Sequence, residues 1–176
     1  IGLFLQSGIS LYHQDKSLNQ QQKEKVQHLV ESAHSIIKHY YQRSQDGTLT
    51  KDQAQKSALE AVKAMRYAGN DYFWVNDFTP TMIMHPVAPR LNNQDVSNIK
   101  DADGVQIFIE MLKIVRNSKE GFLPYKWPKP GEDDPVDKIS FVKEFAPWQW
   151  IVGSGVYIDD IQATFAAQRN SVLINT

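Results

Sequence analysis

The spacing of apolar positions along this chain changes from a helical to an extended period and back, and then repeats that change. Val26, Leu29, Val30, Ala33, Ile36, Ile37 and Tyr40 recur at steps of three and four, with Gln, Lys, Glu and His between them. That is the face of an amphipathic helix. The pattern reaches back towards Leu11, which predicts an unusually long first helix. "SQDGTLTKDQ" ends it: Gly47 is a stop signal, and Thr50 with Gln53 forms a capping box for a second helix. Ala54, Ala58, Ala61, Val62 and Met65 share one face of that helix, which is expected to end near Tyr67-Ala68-Gly69.

From Asn70 the period is two. "DYFWVND" and "TMIMHP" read as strands joined by the turn "FTP". A loop follows, and Asp101 or Asp103 is expected to cap a third helix that turns Val105, Phe108, Leu112 and Val115 inward. Three further strands read as "GFLPYKW", "KISFVKEF" and "WQWIVGSGVYI", the first two joined by the exposed link "PKPGEDDP". A final helix begins near Asp159 and uses Ile161, Phe165 and Val172. Five short strands joined mainly by hairpins, with helices kept outside them, predict an α+β domain on an antiparallel sheet. Residues 1–45 form the long N-terminal helix, a stalk that packs on the core, and 46–176 form that core with its C-terminal return helix.

Composition narrows the function classes. The 176 residues are 41% hydrophobic and 22% charged, ordinary for a chain that buries a real core. A formal net charge of −1 leaves no basic footprint for nucleic acid. Cysteine is absent, which removes disulfides, thiolate metal sites and a Cys nucleophile together. No apolar run approaches the roughly 20 residues that span a bilayer. The opening "IGLFLQSGIS" reads as the end of a removed membrane helix.

The enzyme readings find little to stand on. His13, His28, His34, His39 and His85 have no metal-ligand spacing, and His34 and His39, five apart on a helix, face different ways. Neither a metal nor a cofactor is expected. Gly153-Ser154-Gly155 lacks the strand-to-helix turn of a nucleophile elbow, so its glycines are expected to permit close backbone approach. "KDADG" lacks the Glu that closes an EF-hand loop.

A binding site is the better reading. Tyr72 and Trp74 share one face of the first strand, Phe73 and Val75 the other, and Tyr125 and Trp127 share a face of the third. His85 ends the second strand, Lys138 begins the fourth, and Arg66 ends the second helix. Aromatic walls with a few converging cations suit a small carboxylate. The same aromatics also fit a plain core, and spacing does not choose between the two.

Five linked motifs choose. "RYAGNDYFWVND", "MIMHP", "KDADG", "GFLPYKWPKPG" and "KISFVKEFAPWQWIVGSGVYIDDI" together resemble the single-Cache type 2 domain, from about residue 20 to 165. That family is the periplasmic sensor module of bacterial methyl-accepting chemotaxis proteins, less often of a sensor kinase or cyclase. The resemblance implies a PAS-like fold: a long N-terminal helix, a second helix, then a five-stranded antiparallel sheet with flanking helices. It implies a domain between two transmembrane helices of the inner membrane, dimeric in the full receptor and without enzymatic activity. The implied ligand is a short organic acid such as acetate, propionate, pyruvate or lactate. Carried over by motif, its site comprises Arg66, Tyr67, Tyr72, Trp74, His85, Tyr125, Trp127 and Lys138. Where the family often has "SYVK" this chain has "SFVK", so Phe141 carries no hydroxyl contact. The junction "GVYIDDI" is expected to pass the signal to a second membrane helix, with both chain ends at one pole. The rival outside this class is a small hydrolase or lyase using His85.

Overall fold

A computed structural model describes residues 2–174, with side-chain detail for residues 16–171 except Leu18. Helix α1 runs Gly2–Gln45 and α2 runs Lys51–Ala64. Val26, Val30, Ala33 and Ile37 of α1 are buried, in steps of four, three and four. Each buried side chain of Val or Ile size contributes about 1.5–3 kcal/mol. Ala54, Ala58 and Val62 of α2 join them, so small residues line the seam between the helices. The capping box at Thr50 and Gln53 is present in both directions. The helix stops at Ala64, a few residues early, because Tyr67 and Asp71 exchange backbone hydrogen bonds around a tight loop. Ala68 and Gly69 in that loop both adopt positive φ.

The strands are β1 (Phe73–Asp77), β2 (Met82–Met84), β3 (Glu120–Pro128), β4 (Pro135–Phe145) and β5 (Trp150–Tyr157), in sheet order β2-β1-β5-β4-β3 with every pair antiparallel. Helix α3 spans Ile107–Ser118 and α4 spans Ile158–Ile174. The fold is the predicted α+β architecture, a long helix and a five-stranded antiparallel sheet.

Two further details depart from the sequence reading. Asp101 and Asp103 do not cap α3, which begins after Gln106 without a side-chain cap. The Asp101 carboxylate instead accepts from the backbone N–H groups of Asp103, Val105 and Lys126, tying its loop to β3. The β3–β4 hairpin is also longer than predicted. Trp127 pairs with Val136 and Pro128 with Pro135, so Lys138 lies inside β4 rather than at its start.

Strand alternation gives the sheet two dissimilar faces. Phe73, Val75, Phe141, Val152 and Val156 point to α1 and α2. Tyr72, Trp74, Leu123, Tyr125, Val142 and Ile151 point to α3, whose Phe108, Met111, Leu112 and Val115 cover them. The polar groups of interest lie on the α3 face.

Candidate ligand site

Register places Lys138 opposite Tyr125 on one side and Tyr157 on the other, all three on the α3 face. Lys138 is 2% exposed, and its ammonium group sits among four rings. Nζ lies 4.5 Å from the ring centre of Tyr72, 5.0 Å from Tyr157, 5.3 Å from Trp74 and 6.0 Å from Tyr125. Its hydrogen bond goes to the Tyr72 hydroxyl at 3.2 Å. Among the described residues no carboxylate comes within ion-pair distance of it. The rings favour the cation, by about 2 kcal/mol for a desolvated contact at close range. Desolvation outweighs them and the more distant attraction of Asp71, and brings the Lys138 pKa down to about 7.

Two glycines make room for this cluster. A Cβ at Gly155 would meet Lys138 Cε at 2.8 Å and the Ile139 carbonyl at 2.7 Å. A Cβ at Gly153 would collide with the Trp74 ring. Trp74 is fixed from its other end, where Nε1 donates to Asn76 Oδ1 at 3.1 Å. Tyr125 and Ser140 share a hydroxyl hydrogen bond of 3.0 Å beneath the Lys138 stem. Burial pushes the Tyr72, Tyr125 and Tyr157 hydroxyls upward in pKa, so all three remain protonated and can donate.

His85, one residue beyond β2, closes one side of the cage. Its ring centre is 4.9 Å from Tyr72, 5.9 Å from Trp127 and 6.4 Å from Trp74, nearly parallel to the last. The Ala88 N–H donates to Nδ1 at 2.9 Å, so in the neutral ring the proton resides on Nε2. Burial, reinforced by Lys138 and Arg90, lowers the His85 pKa to about 3. The ring is therefore a neutral N–H donor throughout the physiological range.

The structure thus brings together Tyr72, Trp74, His85, Tyr125, Trp127 and Lys138. It does not bring in Arg66 or Tyr67. Arg66 is exposed and donates to the carbonyls of Lys63 and Met65, so its charge stabilises the C-terminal end of α2. Tyr67 lies on the opposite face of the sheet, against Phe73, and its hydroxyl bonds Ser154 and the Gly155 carbonyl. Its position there follows from the early end of α2, which turns the chain before the sheet edge. Sequence reasoning passed over Tyr157, Ser140 and Asn76. Tyr157 was within reach, because it continues the two-residue alternation of Gly153 and Gly155 on the face that receives Lys138.

A surface cleft of about 210 Å³ ends on Tyr157 and is lined by Asp71, Lys129, Glu132 and Asp160. Desolvation raises the Asp71 pKa to about 6. Lys129, on the β3–β4 turn, holds Asp159 and Asp160 at 2.8 Å each, and Tyr157 donates to the Pro128 carbonyl at 2.8 Å.

Comparison with known proteins agrees with this fold. A family model for the Cache domain matches residues 5–172. The chemotaxis protein McpP of Pseudomonas putida is 48% identical over 158 residues, 89% of this chain and 29% of McpP. The sensor histidine kinase MctS of Rhizobium johnstonii is 32% identical over 125 residues, 70% of this chain and 27% of MctS. The chain therefore spans under a third of either relative. Among solved structures, a periplasmic sensor domain of a chemotaxis protein superposes with a TM-score of 0.78 at 48% identity, covering 80% of this chain and 97% of that one. A Cache chemosensory domain described for carboxylic acid recognition gives 0.79 at 46% identity, covering 81% and 97%.

Proposed function

The chain belongs to the Cache domain family, and on that premise we propose that its aromatic cage binds a short carboxylate for a transmembrane chemoreceptor. A Cache sensor domain binds and reports, and it is not an enzyme. The observation that carries the ligand class is Lys138: a buried cation inside four rings, with no anionic partner among the described residues. A carboxylate supplies the missing charge. The neutral Nε2–H of His85 and the Tyr72 hydroxyl give it further donors, and the indole of Trp74 with the rings of Tyr125 and Trp127 packs a short apolar tail. Pyruvate, lactate, propionate and acetate fit this description. The related Cache domain described for carboxylic acid recognition supports it.

The whole receptor is inferred from the same relatives. We place this domain outside the cytoplasm, periplasmic in an inner-membrane receptor, with the membrane segments flanking it. No helix among the described residues is long and apolar enough to cross a membrane. The stretch of α1 ahead of Val26 is assigned to a stalk that pairs with a second copy. The cleft shared by Gln22 and Lys25 of α1 with Asp160, Ile161 and Thr164 of α4 supports a final helix returning alongside the first. The identity to McpP favours chemotactic output, while the identity to MctS keeps a kinase output as the second reading.

Calorimetric titration with the four acids tests the ligand class. A ligand of six heavy atoms at about −1.5 kcal/mol per atom reaches roughly −9 kcal/mol at best. Its dissociation constant is then no tighter than about 0.1–1 μM, and the expected range is tens of micromolar. Binding of none of the four below about 10 mM, with tight binding of a larger or cationic compound, would sink the assignment.

A further inference from the structure

We propose that Lys138 forms a reversible covalent imine with the carbonyl carbon of a 2-oxo acid, so that the cage distinguishes keto acids from hydroxy acids by bond formation. The proposal rests on the short-acid reading of the cage given above. A lysine is nucleophilic only as the free amine, and a desolvated pocket without a counter-ion is what releases that form near neutral pH. Lys138 meets these conditions: it is buried, no described carboxylate pairs with it, and its pKa lies at about 7. The lysine stem is held in place, with Gly155 against Cε.

The chemistry balances with groups on the page. The Nζ lone pair attacks the ketone carbon, and the C–N bond forms as the C=O π electrons move to oxygen. That oxygen takes a proton, for which the Tyr72 hydroxyl, 3.2 Å from Nζ, is the nearest relay. The resulting carbinolamine loses water as its C–O bond breaks, leaving a protonated imine. The net change is amine plus ketone plus one proton giving iminium plus water, with no oxidant or reductant. The adduct keeps a positive nitrogen beside the acid's own carboxylate, so the charge pairing that draws in the ligand survives the bond. The proposal assigns the neutral His85 Nε2–H, freed for donation by the Ala88 N–H bond to Nδ1, to the carboxylate while the nitrogen is engaged.

Borohydride trapping tests this on the unaltered 176-residue chain. The chain is incubated with pyruvate and reductant, then read by intact mass and peptide mapping, with calorimetry of pyruvate in the same buffer. The expected product is a single adduct on Lys138, heavier by one pyruvic acid less one oxygen atom, with none formed from lactate. The initial trapping rate should saturate with pyruvate and be half-maximal at the concentration where the heat of binding is half complete. Pyruvate binding without an adduct would overturn the imine and leave the short-acid reading standing. Adducts scattered over exposed lysines, or a rate rising linearly with pyruvate, would also overturn it. Absence of both binding and adduct would overturn the imine, and the short-acid reading would fall with it if acetate, propionate and lactate gave no heat either.

Discussion

Replacing Lys138 with Met should make the ligand-free domain more stable while abolishing acid binding. The magnitude follows from the site. The lysine pKa falls from 10.5 to about 7 in the fold, and at about 1.4 kcal/mol per unit the burial of this group opposes folding by roughly 5 kcal/mol at pH 7. Losing the Tyr72 hydrogen bond returns about 1 kcal/mol, and the lost ring contacts return a similar amount. A net gain of about 2–3 kcal/mol remains, or roughly 4–12 °C in melting temperature for a chain of this size. The sign depends on pH. Between pH 7 and 10.5 the unfolded chain binds the extra proton, so wild-type stability climbs across that window while the Met variant stays level. The two should cross at about pH 9, where what remains of the burial penalty equals the roughly 2 kcal/mol of lost contacts, and the wild type should be the more stable above it. Thermal melts from pH 6 to 10 measure this directly. A saturating acid, at about a thousand times its dissociation constant, should stabilise the wild type by about 4 kcal/mol and leave Lys138→Met unmoved. A variant that melts below the wild type at pH 7 without ligand would refute the reasoning, because the cation would then already be satisfied by the protein.

Four further outcomes follow from the same geometry. His85→Ala should weaken acid binding about tenfold to a hundredfold through one lost hydrogen bond to a carboxylate. Because His85 is held at about 3 against 6.5 when unfolded, wild-type stability should also fall as pH drops from 6.5 to 3. Asp71, raised to about 6, acts oppositely between pH 6 and 3.8, so urea midpoints of His85→Ala and Asp71→Asn should diverge in sign there. Gly155→Ala should destabilise by about 1–3 kcal/mol and reduce affinity, since the added methyl pushes against Lys138 Cε and the Ile139 carbonyl; unchanged calorimetry would contradict this packing. Arg66→Ala and Tyr67→Phe should each lower stability by about 1 kcal/mol or less while leaving acid affinity within twofold; a tenfold loss in either would put that residue back in the site.

What the sequence disclosed divides along physical lines. Period alone located the five strands and the α1 stripe, because those patterns are dictated by burial on one face. Alternation also assigned Tyr72 and Trp74 to one side of the sheet and Phe73 and Val75 to the other, as found. Arg66 and Tyr67 lie away from the cage because their positions turn on where α2 ends, and a loop with Ala68 at positive φ leaves no periodic trace. Asp101 has the composition of a helix cap, yet it closes a loop onto Lys126, a partner far along the chain. The environment of Lys138 was not legible either. That it has no carboxylate partner among the described residues is a property of three strands brought side by side, and no local window contains them.

Tyr157 is the last residue of β5 and Ile158 the first of α4, so the strand runs into the helix with nothing between. Loops ordinarily act as joints that absorb displacement by rotating a few backbone torsions, and this connection has no such joint. The ring that stands 5.0 Å from the Lys138 nitrogen therefore belongs to the residue that directly precedes α4. Asp159 and Asp160 complement the positive end of α4 and at the same time grip Lys129, which clamps the hairpin tip to the helix root. Sheet, hairpin and helix root are joined without a hinge, so on the sensor reading proposed above a displacement of the Tyr157 ring is expected to reach the far end of α4, nearly five turns away.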